Sequence, residues 1–420
     1  MPLPHLPASG DPRPTRSWLI RGALVLGGCA ALTAASCGSS PVSSGLGIDW
    51  GRSALVERPA EAFDFGPDGT MGPPAGPGTA GHPGHFPGQA IMADVIATPK
   101  GALVSVGYVY PGWHPVAWTS PNAVDWSLHR MGAADFTVPV ALAVGLDGTI
   151  VAVGRSGNSP VAWTSSDGAD WQEHPVPRSG DGLVAERMTT VLATPDGFIA
   201  GGSVGPESFD RHARFWRSPD GMTWQALPDD PAAFADAEVR SIVRLGTGYV
   251  AIGALGTAQQ VTGSVAWTSP DGVRWTPEAA PDLRKGRAVS VVEAPFGGLV
   301  AVGSDLDEGE ALVWTSPDGR DWSLVPGESS RRYDGKIRMT DVTAATGGLI
   351  AVGNYINLQY GTARAWVSRD AIHWQPSTEV PVMEQGEPYA VAAAGPGAVS
   401  VGSVGAPDDY IPTVWLSPAR

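Results

Sequence analysis

Cysteine is nearly absent from this chain: of 420 residues only Cys29 and Cys37 carry thiols, both near the N-terminus. A disulfide framework is therefore excluded as the source of stability for the bulk of the sequence. Lysine is scarce too, limited to Lys100, Lys285 and Lys336, and charged residues of all kinds reach only 16%. The formal net charge of −15 sets the chain against nucleic acid, whose phosphates it would repel. No apolar run reaches the roughly 20 residues of a membrane-spanning helix. What is abundant is glycine (55) and proline (39), beside 43% hydrophobic residues. That mixture is too apolar for disorder and too rich in turn formers for helices, so it reads as an all-β globule.

The N-terminus reads as an export signal. Arg13, Arg16 and Arg21 precede an apolar run from Gly22 to Ala35, and small residues close it. Ala34, Ala35 and Ser36 then meet Cys37, an order that resembles the lipobox of bacterial lipoproteins. That family usually has Leu three residues before the cysteine, a detail matched better by Leu26-Gly27-Gly28-Cys29. Lipidation at Cys29, however, would shorten the apolar run and leave Cys37 as an unpaired thiol on an exported protein. Cys37 is therefore assigned as the lipidation site, with 1–36 as signal peptide and 37–47 as a flexible tether. The resemblance implies a lipid anchor in the outer face of the cytoplasmic membrane; ordinary cleavage and secretion is the alternative.

Repeats organise the remainder. Trp118/Trp126, Trp163/Trp171, Trp216/Trp224, Trp267/Trp275, Trp314/Trp322 and Trp366/Trp374 are pairs eight residues apart, and their first members recur every 45 to 53 residues. Such a period is expected of propeller blades. Between the members of a pair runs one phrase, seen as Trp267-Thr268-Ser269-Pro270-Asp271-Gly272 and repeated at 314–319. Asp and Gly suit a tight turn there, because Asp bonds the turn backbone and Gly accepts positive φ. An earlier hairpin precedes each phrase, its second strand apolar throughout and ending in Gly, as in Leu349-Ile350-Ala351-Val352-Gly353. Each repeat thus predicts four antiparallel strands, a to d, with the tryptophans wedged between neighbouring blades. A seventh repeat starts at Trp415 and stops before its second tryptophan, whereas Ile48-Asp49-Trp50 matches Val124-Asp125-Trp126. The expectation is a seven-bladed β-propeller over 48–420, its ring closed by an N-terminal strand that completes the last blade. The Gly/Pro-rich stretch 59–89 has no strand periodicity and reads as a loop. Its His82 and His85 lack supporting ligands, so neither a metal nor any other cofactor is expected.

The Ser-Pro-Asp-Gly-x-x-Trp phrase resembles the Asp-box of bacterial neuraminidase repeats, with Asp and Gly adjacent rather than one residue apart. The resemblance covers residues 90–420 and implies a sialidase-like β-propeller, in which these boxes are structural turns far from any active site. A sialidase would need an arginine triad, a Tyr/Glu nucleophile pair and an acidic proton donor. The Phe/Tyr-Arg-Ile-Pro motif that usually carries the first arginine is absent, and sialidases of this kind have six blades.

Variable length is confined to the b–c and d–a connections, which emerge on one face of a propeller and form its default binding surface. That face holds Tyr108, Tyr110 and Trp113; Phe209, Asp210 and Arg211; Arg331, Arg332 and Tyr333; and Tyr355, Tyr360 and Asp409. Aligning the inner strands puts Met92, Pro139, Arg187, Glu238, Ala288, Arg338 and Glu387 at one level. Asp94, Ala141, Thr189, Arg240, Ser290, Thr340 and Tyr389 fall at a second. Arg187, Glu238, Arg240, Arg338, Glu387 and Tyr389 are thus the candidate ligand-binding residues. The expected function is a monomeric, non-catalytic binding module for a glycan or protein ligand at the cell envelope. A sialidase-like glycoside hydrolase and a purely structural envelope protein are the alternatives.

Overall fold

The computed structural model describes residues 89–417 apart from 111, 179–183, 206–210, 229, 258–259, 328–335, 357–360, 378–385, 395–396 and 406–409. Seven antiparallel sheets follow one another along the chain, each with its strands in sequence order, and together they form a seven-bladed β-propeller. Six sheets have four strands and the seventh has three among the described residues. Ile48, Asp49 and Trp50, expected to complete it, lie outside the described residues, as do the export signal, Cys29, Cys37 and the histidines of 59–89. The first and last blades nevertheless meet directly. Ala90, Met92 and Val95 pack in one core with Val399, Val401 and Val414, and the Ala90 amide donates to the Tyr410 carbonyl at 3.1 Å.

The core is divided among the seven interfaces between blades. The first tryptophan of each repeat sits on strand c, almost fully buried, and is packed against the preceding blade. Trp267 of blade four lies with Ile199 and Phe215 of blade three. Trp314 of blade five lies with Val250 and Ile252 of blade four, and Trp118 of blade one with Val399 and Val401 of blade seven. The second tryptophan closes the Asp-box turn. In blade five the Ser316 hydroxyl accepts from the Gly319 amide at 2.8 Å, and Asp318 Oδ1 accepts from Arg320 N and Asp321 N at 2.9 and 3.0 Å. Trp322 Nε1 then donates to the Gly319 carbonyl at 2.9 Å. Those amide donors hold the Asp318 carboxyl below its usual range.

Every inner strand contains one bulge, and all seven fall at the same height. The extra residues are Ala93, Val140, Thr189, Arg240, Val289, Thr340 and Tyr389. The cause lies opposite, in the glycine that ends the apolar part of strand b: Gly107, Gly154, Gly202, Gly253, Gly303, Gly353 and Gly402. A Cβ on any of them would overlap the backbone of the inner strand, as on Gly353 it would overlap the Arg338 carbonyl. The a–b turns correct the sequence alignment, being one residue longer in blades one, two and five than in the other four: Glu293 pairs with Leu299 in blade five, where the equivalent Ala193 pairs with Phe198 in blade three. The level of Arg187, Glu238, Arg338 and Glu387 is completed by Ile91, Val138 and Arg287, not by Met92, Pro139 and Ala288. At or just past the bulge, short polar side chains stitch several inner strands to the next. Asp94 Oδ2 accepts from Leu142 N at 2.7 Å, and Asp341 Oδ2 from Val391 N at 2.8 Å. Thr340 Oγ1, on the bulge itself, donates to the Pro388 carbonyl at 2.7 Å.

Replacing Gly353 by Ala is expected to destabilise the protein by about 3 kcal/mol, because the added methyl meets backbone rather than a movable side chain. Urea denaturation at neutral pH measures this; an unchanged midpoint and slope would refute the close-approach argument.

Candidate functional site

The bulges lie near the ends of the inner strands that face the b–c and d–a loops, so the residues before them crowd the loop-side mouth of the channel. Two carboxylates organise the charges there. Glu238, on the inner strand of blade four (Ala237–Leu245), is fully buried. Its Oε1 accepts from Arg187 Nε at 2.8 Å and from the Ser203 hydroxyl at 3.1 Å. Its Oε2 accepts from Arg211 Nη1 at 3.1 Å and pairs with Arg240 Nη2 at 2.6 Å. Three guanidiniums from two blades therefore converge on one carboxylate. Burial pushes the Glu238 carboxyl up, but Arg240, Arg187 and Arg211 together outweigh it and hold it far below the ordinary range. Burial also brings Arg240 down to about 10, with Glu238 opposing and Arg211, Arg187 and Arg287 adding to the fall.

The second carboxylate belongs to Glu308, on the loop between strands b and c of blade five. It bridges two inner strands: Arg287 Nη1 lies 2.9 Å from its Oε1 and Arg338 Nη1 lies 3.6 Å from its Oε2. Arg338 is oriented by a 2.9 Å bond from its Nε to Asn354 Oδ1. Across the mouth, Tyr389 donates to Glu387 Oε2 at 3.0 Å and accepts from Ser403 at 3.4 Å. Between these groups opens a small pocket lined by Arg240, Arg287, Glu308, Arg338 and Tyr389 over Ala288 and Met339.

Of the six residues singled out in the sequence, Arg240, Arg338 and Tyr389 line this pocket. Arg187 and Glu238 stand behind Arg240, and Glu387 stands beside Tyr389. Sequence reasoning missed Arg287, displaced by one residue because length variation had been confined to the b–c and d–a connections, whereas the a–b turn of blade five is one residue longer than those of blades three, four and six. It also missed Glu308, one of four acids within Asp305–Glu310. Arg211 had been placed on the loop face; it is buried against Glu238. Tyr108, Tyr110 and Trp113 join Phe136 and Tyr410 in an aromatic cluster, with Tyr110 stacked on Tyr410 at 6.5 Å between ring centres. Tyr389 belongs to the same apolar cluster, so the aromatic side of the mouth adjoins the charged one. Burial and the neighbouring Tyr110 push the Tyr108 hydroxyl well above its ordinary value. Tyr355 lies under the Arg364 guanidinium at 5.9 Å. Phe209, Asp210, Arg331, Arg332, Tyr333, Tyr360 and Asp409 lie outside the described residues. No group of three or more His, Cys, Asp or Glu suited to a metal occurs among the described residues.

Chemically, Glu238 is a fixed anion. A carboxyl held so low cannot donate a proton near neutral pH, and its role is to tie blade three to blade four. Glu238→Gln should cost about 3–5 kcal/mol at pH 7, because three buried guanidiniums lose their counter-charge. A depressed folded pKa contributes stability that is complete above the unfolded value of about 4.5 and lost as pH falls below it. Urea titrations at pH 7 and pH 3 should therefore show a smaller gap between wild type and variant at pH 3. An equal gap at both would rule out the charge as its source.

No protein-family model and no curated protein sequence matches the chain. Similar folds occur among solved structures. A Trypanosoma rangeli sialidase in complex with 2,3-difluoro-KDN is 10% identical at a TM-score of 0.48, over 87% of this chain and 58% of its own. Sqt1 from Chaetomium thermophilum is 11% identical at 0.45, over 76% and 80%. A thermostable family-43 glycoside hydrolase is 11% identical at 0.33, over 57% and 91%. The chain thus spans 58% of the length of that sialidase.

Proposed function

We propose that this chain is a binding module exported to the cell envelope, anchored through a lipid on Cys37, with a glycan or protein ligand docking at the loop-side mouth. The observation that carries this reading is the pocket itself. It gathers Arg240, Arg287 and Arg338 from three successive blades beside Tyr389, on a scaffold rigid enough to hold them in place. Guanidiniums fixed in that way recognise oxygen-rich groups through paired hydrogen bonds. Buried Glu238 holds Arg240 in place at the wall of that pocket through a 2.6 Å pair.

Arg287→Ala and Arg338→Ala should each weaken capture of the ligand by about tenfold or more. Glycan arrays and envelope pull-downs with the full chain read this out. Retention of every captured partner by both variants would count decisively against the site. A second reading, glycoside hydrolysis, is favoured by one contact, the 3.0 Å bond between Tyr389 and Glu387 beside the arginines. Release of fluorophore from any of a panel of fluorogenic glycosides, sialosides included, with loss in Tyr389→Phe, would place that reading first. The anchor rests on Ala34-Ala35-Ser36-Cys37. Cys37→Ala should move the protein from the membrane fraction to the soluble one, and an unchanged distribution would remove the lipid from the proposal.

A further inference from the structure

The two carboxylates of the mouth differ in the one respect that matters for a ligand. Glu238 is sealed, with none of its side chain exposed. Glu308 is not: its side chain is 22% exposed, and those of its partners Arg287 and Arg338 are 30% and 12% exposed. All three line the same pocket. The Glu308 carboxylate thus occupies, from within the protein, the position between two guanidiniums that an incoming anion would take. Its hold is uneven, short to Arg287 and long to Arg338, whereas Arg338 is kept in place independently by Asn354.

The backbone beneath Glu308 is strained. Its φ is +59°, a left-handed conformation that a long, non-glycine side chain adopts at a cost. The loop is braced on either side of it. Asp305 Oδ1 accepts from Gly309 N at 2.6 Å and from Glu310 N at 3.2 Å, and Ile337 N donates to the Glu308 carbonyl at 3.0 Å. The loop frame is therefore held by its own bonds, and the carboxylate is free to leave the arginines by side-chain rotation alone.

We propose that the pocket takes an oxyanion, the sulfate or carboxylate of an acidic sugar, and that Glu308 is a built-in competitor which this group displaces. The inference rests on the reading of the pocket as the ligand site and adds its ligand class and its regulation. Like charge is crowded here, since Arg287 is among the groups that oppose protonation of Arg240, and an anion relieves that repulsion. A sugar is favoured over an acidic peptide because the aromatic cluster adjoining Tyr389 offers Tyr110 and Tyr410, both partly exposed, and Phe136, 55% exposed, for stacking on a ring face. The affinity of the empty pocket is thereby tuned by one carboxylate, removable without touching the arginines.

The probe is inorganic sulfate, titrated calorimetrically into the full chain at constant ionic strength. Glu308→Gln and Glu308→Gly should each bind sulfate about tenfold tighter than wild type or better. Glycine suits the positive φ, so the second variant keeps the test open where the first fails to fold. Arg287→Ala in the Glu308→Gly background should erase the gain. Equal or weaker sulfate binding in the folded Glu308 variants overturns the competitor role, even where Arg287→Ala still abolishes ligand capture. Absence of sulfate binding in every protein overturns the ligand class. Only when Arg287→Ala also leaves ligand capture intact does the site reading fall with it. Displacement of sulfate by a sulfated or uronate-containing oligosaccharide, and not by a polyglutamate peptide, supports the acidic sugar; the reverse order overturns it.

Discussion

Each blade of this propeller buries a tryptophan from its third strand in the side of the blade before it, and almost everything else follows from that contact. The indole reaches from its own sheet into the side of the one before it, so it holds neighbouring sheets apart and leaves room for second strands of small apolar side chains between them. Alanine, valine and isoleucine fill that space, which is why the repeats show continuous apolar runs rather than an alternating pattern. The Asp-box turn supports the arrangement from outside. Its serine and aspartate use up the amides of a tight turn, and in most blades the second tryptophan donates to the turn's carbonyl. Blade four solves the same problem differently, by stacking Trp275 on Phe215 with ring centres 4.2 Å apart.

The architecture was legible in the sequence because it is written in local chemistry. Tryptophan spacing, turn residues and the glycine closing strand b each require only a few neighbouring residues to recognise. The mouth was legible in part. Arg187, Glu238, Arg240, Arg338 and Glu387 stood out because aligning the inner strands put them at two adjoining levels near one end of the ring. The bulge did not, because nothing in an inner strand itself marks the extra residue. It is imposed by a glycine across the hairpin, and a one-residue difference in the length of the a–b turn moved Arg287 into the place given to Ala288. Glu308 was hidden for another reason. Among Asp305, Asp307, Glu308 and Glu310, only the fold decides which acid reaches two arginines on different blades.

The site and the scaffold use the same feature for different ends. The bulge lets Thr189 and Thr340 donate to the carbonyls of the next inner strand, while at Arg240 and Tyr389 the same position supplies pocket walls. A functional surface has thus been placed where the fold already departs from a regular ladder. No strand had to be distorted further to present those side chains, and the apolar interfaces beneath them are shared with blades that contribute nothing to the pocket.

Closure gives these contacts a collective character. In an open array of repeats, the end unit has one neighbour and frays first. Here blade one packs on blade seven, so every blade has two neighbours, and detaching any of them exposes two apolar walls at once. Partial opening is therefore costly everywhere around the ring, and the guanidiniums at the mouth inherit that stiffness. An arginine on blade four and another on blade six stay in register because a circle leaves neither a loose end from which to drift.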